Sequence, residues 1–414
     1  MIQVAQRREV SAFAPSVLYA LVAVSIFLNN FVTRATGLPF GQALDALILA
    51  FFLLLIAISL LRGRVKKSQM ILILSVLLFT IFSVLGGLQS SLSNSVISAI
   101  IFSKFFIVIT FARHLKLDDL KLAMRMLAAL HIIGGVLSLI FGSFFISLLP
   151  DVAFTLDTSR LMGFSLNANR AATISCVLMI YFYFVERKPY VAVIFATALI
   201  LSESRSLTVL ASLFIMFWFF TSNILIVKKL FAFAFISAAT WVALYTFIEL
   251  EDTILKIEGT LYGDLYYIRA AMLIGGLQLA SEFFPFGAGG GTFGSSMSFG
   301  SQAYEIVGIS HWNTVIDMSG IYDSGIGAIL GEYGYFGLIF YAFLVVAGIR
   351  NFGARRLPFV PALFLTSLVL YMNFFRTVAS DFFYSFFFLF LFLVIYQKYN
   401  RKPDGNKNAH PPHP

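Results

Sequence analysis

The stretch QMILILSVLLFTIFSVLGGL, residues 69–88, carries no charged side chain over twenty residues, and it decides the fold. As an α-helix at 1.5 Å per residue it measures about 30 Å, the thickness of the hydrocarbon core of a membrane. Similar apolar runs recur along the chain up to residue 396. Backbone N–H and C=O groups must be paired internally inside lipid, and runs of this length achieve that as helices rather than as the shorter strands of a barrel. The sequence therefore predicts an all-α, polytopic integral membrane protein.

The composition matches a chain whose main solvent is lipid. Of the 414 residues, 59% are hydrophobic and 12% are charged, whereas about a quarter of the residues in a soluble domain are charged. The apolar runs predict a helical bundle of about twelve transmembrane helices in a single domain, residues 1–396. Residues 397–414 are polar and proline-rich, which predicts a disordered cytoplasmic tail. The predicted spans are 12–31, 43–61, 69–88, 94–112, 126–149, 169–185, 189–202, 206–226, 230–248, 323–349, 357–375 and 379–396.

The positions of the basic residues predict the orientation. When the N-terminus is placed in the cytoplasm, the inner connections hold 21 of the 29 lysines and arginines, as expected from the bias of multi-pass proteins towards positive cytoplasmic segments. Both termini are therefore predicted to be cytoplasmic, in the inner (cytoplasmic) membrane of a cell. The net charge of +9 follows from this topology, so membrane lipids are expected partners and nucleic acid is not. The residues expected to meet anionic lipid headgroups are Arg62, Arg64, Lys66 and Lys67.

Two predicted extracytoplasmic loops are long, residues 150–168 and the large loop of residues 249–322. Most other connections are short, and long loops in a compact domain usually carry function. We therefore expect the functional site in these loops. Within the larger loop, the apolar spacing of residues 265–281 predicts a helix that lies at the membrane interface.

Residues 285–294, PFGAGGGTFG, follow that predicted helix and indicate a flexible or tightly turned segment. Its candidate turn residues are Gly287, Gly289 and Gly291. The segment also matches the pattern GxGxxG of dinucleotide-binding proteins. That pattern requires a preceding β-strand, and no dinucleotide is expected outside the membrane, so we reject a Rossmann fold.

Eight basic residues fall outside the predicted inner segments, and six of them are arginines: Arg34, Lys104, Arg160, Arg170, Arg205, Lys256, Arg269 and Arg376. A guanidinium binds two phosphate oxygens at once, whereas a lysine offers a point charge. Arginines near the outer loops therefore favour an anionic ligand there, and a lipid-linked diphosphate is the natural candidate. The alternative is that each arginine reaches lipid headgroups or pairs with a nearby acid, as Glu203 could do for Arg205.

Three other residues bear on chemistry. His311, in the large loop, is a candidate general base, and the alternative is an ordinary surface histidine. Lys104 lies centrally in the fourth predicted span and needs a partner or a water-filled cavity. The single cysteine, Cys176, excludes an intramolecular disulfide, and the chain has no Asp-x-Asp pair, so no metal is implied.

Three sequence blocks between roughly residues 200 and 340 carry a family resemblance. They are SESRS at 202–206, Arg269 followed by PFGAGGGTF at 285–293, and DSGIGAILGEYGYFG at 323–337. In type and order they resemble the conserved blocks of the O-antigen polymerase and ligase superfamily (Wzy and WaaL types). The resemblance implies a glycosyltransferase without metal or other cofactor that acts on undecaprenyl-diphosphate-linked glycans outside the inner membrane. A chain-length regulator and a flippase of the same pathway are then the expected protein partners.

One position distinguishes the two branches of that superfamily. The ligase branch resembles His-[Asn/Ser/Gln]-x9-Gly-x-x-[Gly/Thr/Tyr], and here Asp323 replaces the histidine while Ser324, Gly334 and Gly337 keep the spacing. This difference favours a polymerase, because a carboxylate can still orient or deprotonate an acceptor hydroxyl. The structural alternative is that Asp323 caps the tenth span.

The expected reaction polymerises lipid-linked repeat units into O-antigen or exopolysaccharide and releases the lipid diphosphate. Asp323 is expected to take the proton of the acceptor hydroxyl, with His311 in reserve. Three alternatives stay open: a ligase that transfers glycan to lipid A core, a transporter or flippase of lipid-linked sugars, and a non-catalytic partner of an export complex. The arginines expected to stabilise the leaving diphosphate are Arg160, Arg170, Arg205 and Arg269.

Overall fold

The structure, a computed structural model, describes most of the chain. Within the described residues every regular element is helical. Beyond a few isolated positions, the described ranges are 2–38, 67–88, 91–112, 117–141, 161–222, 226–247, 267–317, 324–351, 356–375 and 380–400. In chain order the helices are α1 Ile2–Thr36, α2 Lys67–Val84, α3 Leu92–Phe102, α4 Lys104–Ala112, α5 Lys121–Ile140, α6 Ala168–Ile180, α7 Pro189–Leu201, α8 Arg205–Phe220, α9 Ile226–Phe247, α10 Ile268–Glu282, α11 Gln302–Ile306, α12 Asn313–Ile316, α13 Gly325–Arg350, α14 Phe359–Phe375 and α15 Phe382–Asn400.

Several of these helices are long and apolar enough to cross a membrane. Within the described residues there are four, and α3 with α4, bent by 48°, makes a fifth if the pair is one broken span. This finding agrees with the predicted helical membrane bundle. The four helical segments are Leu117–Ile140, Ala168–Val185, Gly325–Arg350 and Phe382–Tyr399.

The predicted fourth span is divided into two helices at Ser103. The Ser103 side chain donates to the carbonyl of Ala99 at 2.8 Å and accepts a hydrogen bond from Ser75 at 3.0 Å. A serine that bonds back to the preceding turn competes with the helical hydrogen bonds and bends the helix. Lys104 therefore lies at a bend rather than inside a straight span, and its Nζ is 5.0 Å from the ring centroid of Phe382.

Helix α15 forms the centre of the bundle. Each of residues 387–395 is at most 4% exposed, because this run consists entirely of phenylalanine, leucine, valine and isoleucine. A helix that is apolar on all sides is stable when it is surrounded by other helices. The start of α15 lies beside the start of α6 and the end of α1. The candidate site is at this end of the bundle.

The helix predicted within the large loop is present as α10, and it packs against α13. Gly276 approaches Gly327 so closely that a Cβ at Gly276 would overlap the Gly327 carbonyl group. Met272, Leu279 and Ala280 are fully buried at this contact. Glycines at a helix crossing let the two backbones approach, which fixes how the large loop is attached to the bundle.

Candidate functional site

The position of Arg170 is determined by the cap of α6. Asn167 precedes the helix, and its side-chain oxygen accepts the backbone N–H groups of Asn169 at 2.9 Å and Arg170 at 3.1 Å. An asparagine in this position pairs N–H groups that the first helical turn leaves without partners. Arg170 is thereby held in the first turn of α6.

The guanidinium of Arg170 joins three helices. Its Nη1 donates to Asn30 Oδ1 of α1 at 3.1 Å, and its Nη2 donates to Asp381 Oδ2, before α15, at 3.3 Å. Its Cζ lies 4.9 Å from the ring centroid of Phe383. The Arg170 side chain is 18% exposed and that of Asp381 is 26% exposed, so the pair is partly desolvated. These two hydrogen bonds use two of the five N–H donors of a guanidinium, and the ring contact restricts its orientation.

The segment before Arg205 meets the segment before Arg170. Ser204 Oγ donates to Asn169 Oδ1 at 3.3 Å, across 35 residues of sequence. Arg205 is the first residue of α8, directly after Ser204. Two of the four arginines predicted to bind diphosphate thus follow residues that share one hydrogen bond.

We call this group the arginine cluster. Sequence reasoning had singled out its two arginines and had missed the amides and the acid. The signal for the missed residues was a polar side chain at the end of an apolar run, as in the pair Asn29 and Asn30 and in Asp381 near the start of the last predicted span. The members of the cluster are Asn30, Asn169, Arg170, Ser204, Arg205 and Asp381.

The remaining predicted site residues lie elsewhere or outside the described residues. Arg269 is in the first turn of α10, where its Nη1 donates to Tyr267 Oη at 3.4 Å. His311 is exposed, in the turn between α11 and α12. Arg160 and Asp323 lie outside the described residues. The residue after Asp323, Ser324, is the N-cap of α13, and its Oγ accepts the N–H of Gly327 at 3.1 Å.

The predicted glycine segment is a tight, buried turn that completes a broken helix. Helix α13 is interrupted at Gly334, which has φ 65° and ψ −165°. The backbone N–H of Ala288 donates to the Gly331 carbonyl at 2.7 Å, and that of Gly289 donates to the Glu332 carbonyl at 3.0 Å. Carbonyls freed by a break in an apolar helix must find other partners, and this turn supplies them.

Glu332 holds the same turn through its side chain. The carboxylate is fully buried, and it accepts hydrogen bonds from Ser98 Oγ at 2.6 Å and from the backbone N–H of Phe293 at 3.2 Å. Ser98 Oγ also lies 2.6 Å from Tyr333 Oη. Since the Ser98 hydroxyl has one proton and gives it to Glu332, Tyr333 donates to Ser98. Sequence reasoning quoted Glu332 within a block without giving it a role, although an acid in the interior of a predicted span was a usable signal.

Of the predicted turn residues, Gly287 and Gly289 are buried and Gly291 is partly buried. All three have positive φ, at 77°, 109° and 79°. The segment is therefore tightly turned, one of the two forms that its composition indicated.

The groups present in the cluster suit an anionic ligand. Within the described residues, no three histidine, cysteine, aspartate or glutamate side chains converge in a way that could hold a metal ion. Guanidinium and amide N–H groups, by contrast, are the donors that phosphate oxygens accept most strongly. No known protein-family model matches this chain, and no curated protein sequence matches it.

Proposed function

We propose that this protein is a membrane-embedded glycosyltransferase of the polymerase type that binds a lipid-linked diphosphate at the arginine cluster. One observation carries the proposal: Arg170 and Arg205 directly follow Asn169 and Ser204, which are joined by a hydrogen bond of 3.3 Å. Arg170 and Arg205 thus lie in the first turns of two helices, α6 and α8, whose starts are joined, and two guanidinium groups suit the two phosphates of a diphosphate. The family resemblance of residues 202–206 adds to this reading.

The contacts of Arg170 favour binding rather than a purely structural role. Asn30 and Asp381 orient the guanidinium, and Phe383 lies against one side of it. A charge held in a partly dry site stabilises developing negative charge more strongly than the same charge in water. Preorganised donors of this kind are what a leaving diphosphate requires.

In the proposed reaction the bond between the anomeric carbon of the donor glycan and its diphosphate oxygen breaks. The electron pair stays with the lipid diphosphate, whose charge the arginines stabilise. The acceptor hydroxyl oxygen forms the new glycosidic bond, and its proton passes to a base, for which Asp323 is the first candidate and His311 the second.

The same proposal includes the finer topology. About twelve spans cross the inner membrane, both termini are cytoplasmic, and the arginine cluster faces outward with the large loop. The substrates are undecaprenyl-diphosphate-linked repeat units, and the partners are the flippase that delivers them and a chain-length regulator.

The decisive experiment replaces Arg170 and Arg205 by lysine in cells that lack their own copy of the gene. Lysine keeps the charge and loses the paired hydrogen bonds, so we expect polymerisation to fall about tenfold to a hundredfold in each variant. The readout is the length distribution of lipid-linked glycan at equal amounts of protein in the membrane. Arg34→Lys, at an exposed position near the end of α1, is the matched control and should leave the glycans unchanged.

A second variant separates binding from scaffolding. Asp381→Asn removes the ion pair of Arg170 but keeps the arginine and the cap of Asp381 on the Phe383 N–H. If Arg170 were purely structural, Asp381→Asn would reduce polymerisation as much as Arg170→Lys does. We expect Asp381→Asn to reduce polymerisation much less. Long glycans from both lysine variants would contradict the proposal.

A transporter of lipid-linked sugars is the second candidate, because α13 is interrupted at Gly334 and carries Glu332 beside the break. Broken helices with a polar group at the break are typical of transporter sites. The two functions differ in the product that accumulates when the gene is absent. Single repeat units on the outer face indicate a lost polymerase, whereas single repeat units confined to the inner face indicate a lost transporter.

A further inference from the structure

The end of the bundle opposite the arginine cluster contains a cavity with a positive rim. Helices α6 and α8 begin at the cluster, and the cavity lies where they end, between residues 183–187 and Trp218. Arg187 and Lys398 line it, and its volume is about 320 Å³. The Lys398 ammonium donates to the Trp218 carbonyl at 2.9 Å, to Thr221 Oγ1 at 2.8 Å and to Ser222 Oγ at 3.2 Å, and it lies 4.2 Å from the Trp218 ring centroid.

The positive charge of this rim is not balanced by the nearest acid. Glu186 is engaged elsewhere, since it accepts from Arg125 at 3.0 Å and lies 3.5 Å from Lys188. Within the part of the chain that the structure describes, no carboxylate forms an ion pair with Arg187 or Lys398. The cavity therefore presents net positive charge to a ligand.

An apolar groove continues from this cavity along the side of the bundle. It has a volume of about 340 Å³ and shares Tyr183 and Phe184 with the charged cavity. Apart from the Tyr183 hydroxyl, the side chains that line it are hydrocarbon or thioether, from Ala192 and Ala196 of α7 to Phe235 of α9. From Pro189 to Ala196 the groove follows α7 for about 10 Å, at 1.5 Å per helical residue.

We propose that this joined cavity and groove bind one anionic phospholipid, with its phosphate on the Arg187 guanidinium, the charge of Lys398 beside it and an acyl chain in the groove. The charge of the rim selects an anionic headgroup over a zwitterionic one, and the apolar groove selects a lipid over a soluble phosphate. The cavity and the groove lie at the end of the bundle that the distribution of basic residues assigns to the cytoplasm. Anionic lipid is concentrated on that side of the membrane, and basic pockets between helices bind it there. The bound lipid fills the seam between α7 and α9, so it also stabilises the bundle.

The test measures lipid binding to the purified full chain by native mass spectrometry after removal of endogenous lipid. Phosphatidylglycerol and phosphatidylcholine of equal chain length are added separately, and glycerol 3-phosphate serves as the soluble headgroup. We expect one phosphatidylglycerol to bind preferentially, with melting temperature raised by that lipid and by neither of the other two compounds.

Two variants address the two parts of the site. Arg187→Asn removes the charge at a residue with φ 55°, a conformation that asparagine tolerates well, so the variant should fold. Its affinity for phosphatidylglycerol should fall about fivefold, the effect of about 1 kcal/mol per basic residue near an anionic surface. Ala196→Phe fills the groove and should abolish the preferential binding. Arg34→Asn, near the cluster end of α1, removes the same charge and should bind lipid like the unmodified protein.

Undiminished phosphatidylglycerol binding in Arg187→Asn would overturn the assignment of the lipid phosphate to Arg187. This outcome does not depend on whether Ala196→Phe folds. Equal binding of phosphatidylcholine would overturn the requirement for negative charge. Stabilisation by glycerol 3-phosphate equal to that by the lipid would show a soluble-anion site in place of a lipid site.

Discussion

At Gly334 the backbone adopts a conformation that essentially only glycine reaches, with φ 65° and ψ −165°. A Cβ at this residue would overlap the carbonyl oxygen of Pro285. On the other side of the contact, a Cβ on Gly287 would lie 2.5 Å from the Gly334 backbone nitrogen. The two glycine-rich segments therefore interlock, and their glycines are explained by this close approach.

Replacing Gly334 by alanine tests this interlock, and the chain offers a matched control. Gly300 has almost the same φ, 66°, with no neighbouring atom within 4 Å of an added Cβ. Gly300→Ala should therefore show only the backbone penalty of positive φ, about 1 kcal/mol. Gly334→Ala should destabilise the protein by clearly more, because the ψ of −165° at Gly334 is itself reached essentially only by glycine and because the Pro285 turn must move. The measurement is the melting temperature of each variant in detergent, and equal losses in the two would argue against the interlock.

Glu332 belongs to the block that resembles the polymerase and ligase superfamily, yet its contacts in this structure are structural. Its oxygens pair with Ser98 and with the Phe293 backbone N–H. Without that carboxylate, the Phe293 N–H would be buried without a partner, which costs about 1–3 kcal/mol. Glu332 therefore holds the glycine turn of residues 285–294 against α13 and α3.

Among the elements, the end of α6 is anchored to α5 by one carboxylate. A π-helical turn, Tyr181–Val185, follows α6 and leads to Glu186. Glu186 Oε1 accepts from Tyr181 Oη at 2.7 Å and from Arg125 Nη2 of α5 at 3.0 Å. The pKa of Glu186 is lowered chiefly by the Tyr181 hydrogen bond, with Arg125 and Lys188 adding to the shift against the opposing effect of burial.

This lowered pKa predicts a pH dependence of stability. A carboxyl with a lowered folded-state pKa stabilises the fold above its ordinary pKa of about 4.3, and that stabilisation is lost as the pH falls through the folded-state value. Between about pH 5 and pH 3, the melting temperature of the unmodified protein should therefore fall more steeply than that of Glu186→Gln. Glu282→Gln, which removes one acid at the end of α10, is the control and should keep the steep fall. Parallel curves for the unmodified protein and Glu186→Gln would rule out this anchor.

For the whole molecule, the structure sorts two groups of residues to opposite ends. The arginine cluster gathers the starts of α6, α8 and α15 with Asn30 near the end of α1. The opposite end gathers Arg125, Glu186 and Lys398, all from connections or helix ends that the charge pattern assigns to the cytoplasm. The two groups therefore lie at opposite ends of helices α6, α8 and α15.

The predicted orientation is tested by cysteine labelling in intact cells. In a Cys176→Ala background, a cysteine at Ser301 should react with a membrane-impermeant thiol reagent, because the large loop is predicted to be outside. A cysteine at Asn351, after α13, should react only once the membrane is permeabilised. Labelling of both from the same side would contradict the alternating topology and, with it, the proposed outward-facing site.

Much of the architecture was predictable from local sequence. Residues 69–88 and 387–395 require helices in an apolar environment, because long uncharged runs satisfy their backbone groups only in that way. A need of Arg170 for partners was also predictable, since a guanidinium at the end of an apolar run is expensive without a ligand or partner, and Asn30 and Asp381 are such partners. The break in the fourth predicted span at Ser103 was missed, because a back-bonded serine leaves the apolar period unchanged.

The sequence by itself determined that this protein is a helical bundle suited to lipid and where its unusual charges lie along the chain. Only the tertiary structure decided which of those charges meet. Arg170 binds Asn30 and Asp381 across 140 and 211 residues, and Glu332 binds Phe293 across 39. Periodicity describes which face of a helix is apolar, whereas these contacts depend on which helix ends become neighbours when α15 is enclosed by the others. That arrangement arises from side chains and glycine contacts along the whole chain, and no single run contains it.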